Sequence, residues 1–149
     1  MGRKHKTFLF GANGVIGSYL LNHAHNDFEG FSKTVSSNSS CSKLNCLNIN
    51  DLDNFAKRIN SDFSIIFLIG LAHKKGKGKD LPAFRSVNKQ TLVNLMTVLE
   101  KYEKIPDKII FASSISVYGE RYQTSIYNEN LLPNPYSPYG ITKLEAEKY

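Results

Sequence analysis

Between a short apolar run, Thr7–Phe10, and a stretch where Val15, Ile16, Tyr19 and Leu20 recur at helical spacing lies Gly11-Ala12-Asn13-Gly14-Val15-Ile16-Gly17. An apolar run cut by closely spaced glycines reads as strand, tight turn and helix. Such a turn gathers backbone N–H groups at the positive end of a helix, where a pyrophosphate fits. Gly11 permits the turn, Gly14 lets a ligand reach the backbone with no Cβ in the way, and Gly17 lets helix and strand pack closely. Further strands are expected over Phe31–Val35, Leu44–Ile49, Ser64–Ile69 and Lys108–Ala112. Near-continuous apolar runs of this kind belong to a parallel sheet covered by helices on both faces. Asn50 or Asp51 is the expected N-cap of a helix through Phe55 and Ile59. Phe84, Val87, Leu92, Leu95, Leu99 and Tyr102 stripe one long helix over Leu81–Tyr102, ended by Pro106. A polar loop from Gly119 to Pro138 then leads to a helix from Tyr139 onward.

The 149 residues suit one domain, residues 1–149, with a real core. Apolar residues at 41% and charged residues at 21% exclude collagen-like, coiled-coil and wholly disordered chains. The net charge of +6 is compatible with phosphate-bearing partners and equally with plain solubility. The basic run His73-Lys74-Lys75-Gly76-Lys77-Gly78-Lys79 lacks the GxxxxGK[ST] order of a P-loop and reads first as a solvated loop. Its functional reading is a cluster of ammonium groups that attracts a diphosphate. No reader motif accompanies it, so nucleic acid is not an expected partner. Cys41 and Cys46 fit neither zinc spacing nor a disulfide framework; no metal is expected, and two reduced thiols suit a cytoplasmic protein. No apolar run reaches the roughly 18–20 residues that span a bilayer, so no membrane partner is expected either.

The GxxGxxG spacing resembles the extended short-chain dehydrogenase/reductase superfamily, the NAD(P)-dependent sugar epimerases and dehydratases. Asn48-Ile49 stands where that family usually has Asp-Ile beside the adenine, and Leu68-Ile69-Gly70-Leu71-Ala72 resembles its cofactor-lining fourth strand. Asn88 matches the family's helix asparagine, although Thr91 and Leu92 replace its usual Gly and Thr. Ser113-Ser114-Ile115-Ser116-Val117-Tyr118-Gly119 and Tyr139-Gly140-Ile141-Thr142-Lys143 resemble its SSxxVYG and YxxxK motifs, in the right order. The resemblance implies a Rossmann-type, doubly wound parallel sheet and an NAD or NADP cofactor. Gly11, Ala12, Asn13, Gly14, Val15, Ile16, Gly17, Asn48, Ile49, Leu68, Ile69, Gly70, Asn88, Tyr139 and Lys143 would line the cofactor.

Four residues apart on a helix, Tyr139 and Lys143 share a face. A free phenol, with a pKa of about 10, is a poor base near neutrality, and an adjacent ammonium favours the phenolate. The resemblance implies that Tyr139 takes the proton from a sugar hydroxyl while hydride passes to the nicotinamide. Lys143 would hold the nicotinamide ribose, and Ser114 would orient the hydroxyl, assisted by Ser113 and Ser116. Family dehydratases place Asp-Glu directly after the catalytic Ser/Thr; Ile115 and Ser116 stand here, which favours epimerisation or 4-keto reduction of a nucleotide sugar. At the expected end of the second strand, Ser36, Ser37 and Asn38 offer neither the acid of an NAD site nor an arginine for NADP, leaving both open. The chain stops six residues after Lys143, so the expectation is an N-terminal part without its substrate lobe, inactive alone, with a homodimer formed through the helices of Asn88 and Tyr139. The alternatives are a non-catalytic dinucleotide-binding module or a degenerate remnant.

Overall fold

A computed structural model describes residues 5–23, 28–37, 40–72, 80–119 and 127–149. The basic run His73–Lys79, Asn38, and residues 120–126 of the loop before Pro138 lie outside the described residues. Two compact units are distinguished: Met1–Ile69 with Thr91–Ala112, and Gly70–Gln90 with Ser113–Tyr149.

The first unit is a five-stranded parallel sheet in the order β3-β2-β1-β4-β5. Its strands are β1 (Lys6–Phe10), β2 (Phe28–Ser32), β3 (Ser42–Lys43), β4 (Phe63–Phe67) and β5 (Lys108–Phe111). Helices α1 (Val15–His23), α2 (Ile49–Arg58) and α4 (Thr91–Lys101) accompany them, α2 packing on α4. Phe55 of α2 meets Phe8, Phe10 and Phe31 at ring-centroid distances of 5.0, 5.5 and 5.0 Å. Leu9, which the strand period turns to the opposite face, is also fully buried, so the sheet is covered on both sides there. This is the Rossmann-type arrangement expected from the sequence.

Several elements differ from expectation. The second strand is Phe28–Ser32 rather than Phe31–Val35, and Val35 is exposed. The segment Leu44–Ile49 is not a strand. Asn45 Oδ1 accepts from Leu47 N, and Asn45 O accepts from Asn48 N, closing a turn that delivers the chain to α2. Asn48, not Asn50 or Asp51, caps α2 by accepting from Asn50 N. In α1 the apolar stripe does not make the buried face: Val15 is 89% exposed, Ile16 and Tyr19 are exposed too, and Gly17 is the buried residue. Helix α4 ends before Pro106, at Lys101, where Glu103 adopts φ 54° and Lys104 N returns to Leu99 O.

In the second unit, the expected Leu81–Tyr102 helix begins as α3 (Leu81–Arg85) and continues through a π-helical turn, Ser86–Gln90, before α4. A π turn carries one extra residue, and here it turns Asn88 fully inward. A short 3₁₀ turn, Ile115–Tyr118, and α5 (Pro138–Glu147) complete the unit. Ser137 caps α5 by accepting from Gly140 N, and the first-turn Pro138 needs no amide partner. Arg85 binds Glu145 of α5 with its Nε 3.0 Å from both carboxylate oxygens.

Candidate functional site

Each unit holds part of the expected site. In the first, Gly11 N and Ala12 N donate to Phe31 O, and Gly14 N donates to Gly11 O, folding the chain sharply between β1 and α1. Gly11 takes φ 87°, and a Cβ there would lie 2.9 Å from Ile69 N, so only glycine fits. At Gly17 a Cβ would lie 2.8 Å from Ala12 Cα, which sets the close approach of α1 to the turn. At Gly14 a Cβ would meet only Gly11 O, at 3.2 Å, and otherwise enter open space. An open approach to a helix N-terminus whose first residues, Val15 and Ile16, are exposed fits the pyrophosphate of a dinucleotide. Asn13 is braced by donating to Thr34 O while its Oδ1 accepts from Cys41 Sγ. Leu68 and Ile69 continue β4, half-buried, with Leu68 N bonded to Phe10 O. Asn48 and Ile49 are exposed at the start of α2, and the Asn48 side chain is spent on its cap and on Asp51.

The second unit brings Tyr139, Lys143, Gly70 and Asn88 together, and Ser114 lies on the serine turn against which α5 packs. Gly140 makes this possible: a Cβ there would run into Ser116 O, so α5 packs its backbone directly on the serine turn. Lys143 is 3% exposed, with Nζ 5.9 Å from the centroid of the half-buried Tyr139 ring. A Cβ on Gly70 would lie 3.2 Å from the same Nζ. Burial pushes the Lys143 ammonium from its ordinary value down to about 8, against the opposing pull of Glu147. Asn88 touches the site through its neighbours: Oδ1 accepts from Leu71 N at 2.6 Å, and Nδ2 donates to Leu71 O and to Thr142 Oγ1. Both amide hydrogens are therefore spent on holding the chain after Gly70 against α5.

Ser114 caps the 3₁₀ turn, accepting from Ser116 N and donating to Ser116 Oγ at 3.1 Å. Ser116, not Ser114, lines a cavity of about 250 Å³ with Tyr127, Tyr136 and Ser137. Ser113 turns away to donate to Glu147. Sequence reasoning missed Gly140, Thr142 and Glu147; a signal for the last was its place four residues beyond Lys143. It also missed Lys33 and Lys43, which line a groove in the first unit. Among the described residues no three His, Cys, Asp or Glu side chains gather as a metal site, and no helix is long and apolar enough to cross a membrane.

Residues 7–149 match the profile described as the NAD dependent epimerase/dehydratase family. A curated protein of Methanocaldococcus jannaschii, described as "Putative UDP-glucose 4-epimerase", is 41% identical over 64 residues, 42% of this chain and 20% of that protein. The solved UDP-glucuronic acid 4-epimerase of Bacillus cereus, in complex with NAD, is 28% identical, with a TM-score of 0.74 over 96% of this chain and 50% of its own. The UDP-N-acetylglucosamine 4-epimerase of the same organism is 24% identical, with a TM-score of 0.75 over 97% of this chain and 53% of its own. The chain thus spans about half the length of these solved structures.

Proposed function

Because the chain belongs to the NAD dependent epimerase/dehydratase family, we propose that it is the dinucleotide-binding part of a cytoplasmic nucleotide-sugar epimerase or 4-keto reductase. The observation that carries this reading is the buried Lys143 ammonium beside the Tyr139 ring, on a helix whose Gly140 abuts the serine turn. In this reading, the amides around Gly11–Gly17 hold the pyrophosphate of NAD or NADP, and the bound nicotinamide supplies a hydride acceptor. Tyr139 removes the proton from the sugar hydroxyl at its phenolic oxygen. Lys143 favours the phenolate and binds the nicotinamide ribose. The Ser114–Ser116 hydroxyl pair orients the hydroxyl that reacts, with Ser116 facing the 250 Å³ cavity. Ile115 and Ser116 supply no acid–base pair for 4,6-dehydration, which supports epimerisation or reduction. The solved epimerases are about twice as long, so turnover is proposed to need the further half that they carry. A homodimer through the helices of Asn88 and Tyr139 belongs to the same reading.

The test is hydride transfer with UDP-hexoses, followed at the absorbance of reduced nicotinamide, for the 149-residue chain and for any longer product of the same reading frame. The short chain is expected to bind dinucleotide without turning over. In the longer product, Tyr139→Phe should lower kcat by about 10²–10⁴-fold while dinucleotide affinity stays. A Phe variant with undiminished kcat would refute the assignment of Tyr139. Absence of dinucleotide binding by either chain would refute the reading as a whole.

A further inference from the structure

Strand β2, whose Phe31 O accepts from Gly11 N and Ala12 N, ends earlier than its sequence suggests, and this changes which side chains stand there. Strand β2 stops at Ser32, so the next residue is Lys33 rather than the polar cluster after Val35. Strand β3 runs beside it with Ser32 paired to Lys43. Lys33, Thr34, Ser42, Lys43 and Arg58 line a groove of about 1000 Å³ in the first unit.

Charge in this groove is one-sided. Among the described residues that line it the one carboxylate is Asp51, with Oδ2 accepting from Asn45 N at 3.0 Å and Oδ1 accepting from Asn48 Nδ2 at 2.9 Å. Arg58 leans toward Glu29, with Nη2 3.8 Å from Oε1. Among the described residues no carboxylate pairs with Lys33 or Lys43, and both are exposed. The groove is also joined to the phosphate turn: Asn13 donates to Thr34 O, and Gly11 N and Ala12 N donate to Phe31 O, the carbonyl just before Ser32. The adenine-side ribose of a dinucleotide held on that turn would lie toward the end of β2.

We propose that this groove receives a phosphate on the 2′-oxygen of that ribose, and that the chain selects NADP(H) over NAD(H) through Lys33 and Lys43. NAD sites commonly carry a carboxylate at the end of this strand, which accepts hydrogen bonds from the ribose hydroxyls and repels a phosphate there. Here the position carries no carboxylate. Two ammonium groups and the hydroxyls of Thr34 and Ser42 offer charge-assisted donors to a phosphate dianion instead. The inference rests on the dinucleotide reading above and deepens it.

Titration of the 149-residue chain with NADPH and NADH, and with adenosine 2′,5′-bisphosphate against AMP, tests it. The 2′-phosphorylated member of each pair should bind at least about tenfold more tightly, as one or two hydrogen bonds to a charged group require. Lys33→Glu and Lys43→Glu, each checked for an unchanged melting temperature, should each reduce that ratio about tenfold. Equal affinities, or tighter NADH, would overturn the selection while leaving dinucleotide binding intact. A preference that survives both variants would remove Lys33 and Lys43 from it. Binding of neither dinucleotide would overturn the underlying reading, and the inference with it.

Discussion

Lys143 carries a titration that the folded chain makes unusual. The residue is 3% exposed and its pKa falls from 10.5 to about 8, because burial disfavours the charged form more than Glu147 supports it. Below about pH 8 the lysine is protonated in folded and unfolded chains alike. Between about 8 and 10.5 the unfolded chain still holds a proton that the folded chain has released, so stability rises with pH across that window. The rise from this one group amounts to about 3 kcal/mol. Urea unfolding of the wild-type chain and of Lys143→Met across that range should show it as the difference between the two curves; parallel curves would contradict the burial. The difference matters because Cys46, pushed up to about 12 chiefly by burial, contributes the opposite slope above about pH 9. A lysine on a helix normally reads as exposed, and YxxxK spacing alone does not reveal that this one is enclosed.

Between β1 and α1 the glycines divide the work, and a pair of substitutions separates their roles. Gly17→Ala forces a methyl to within 2.8 Å of Ala12 Cα and should cost about 1–3 kcal/mol by overpacking. Gly14→Ala meets only Gly11 O, at 3.2 Å, so stability should change little while dinucleotide affinity falls, because the methyl enters the ligand's approach. Chemical denaturation combined with NADPH titration distinguishes them, and equal destabilisation by both would contradict the turn geometry. The strand–turn–helix was legible because its glycines have a local cause. Strand β2 was not. It includes Gly30, a poor strand former, at a site where a Cβ would lie 2.8 Å from Leu21 Cδ1, 3.0 Å from Ala12 Cβ and 3.1 Å from Cys41 Cβ. Three distant segments converge there, and no window of sequence around Gly30 records them. Because β2 ends at Ser32, the residues that follow it are Lys33 and Thr34 rather than Ser36–Asn38.

For the molecule as a whole, a ligand that binds only the folded chain raises its stability by mass action. NADPH at a hundred times its dissociation constant should add about 2.7 kcal/mol and raise the melting temperature by about 5–11 °C. Scanning fluorimetry with and without NADPH checks this, and an unmoved transition would argue against dinucleotide binding by this chain. The alternation of apolar strands and helices, the glycine turn and the order of the serine and YxxxK motifs are local patterns, and the sequence by itself determined the parallel α/β architecture and the family from them. Only the tertiary structure decided that Lys143 is enclosed, that Asn88 spends its amide on Leu71 and Thr142, and that Lys33 and Lys43 share one groove. Each of those depends on groups far apart in the chain, whose meeting is set by packing and desolvation rather than by residue spacing.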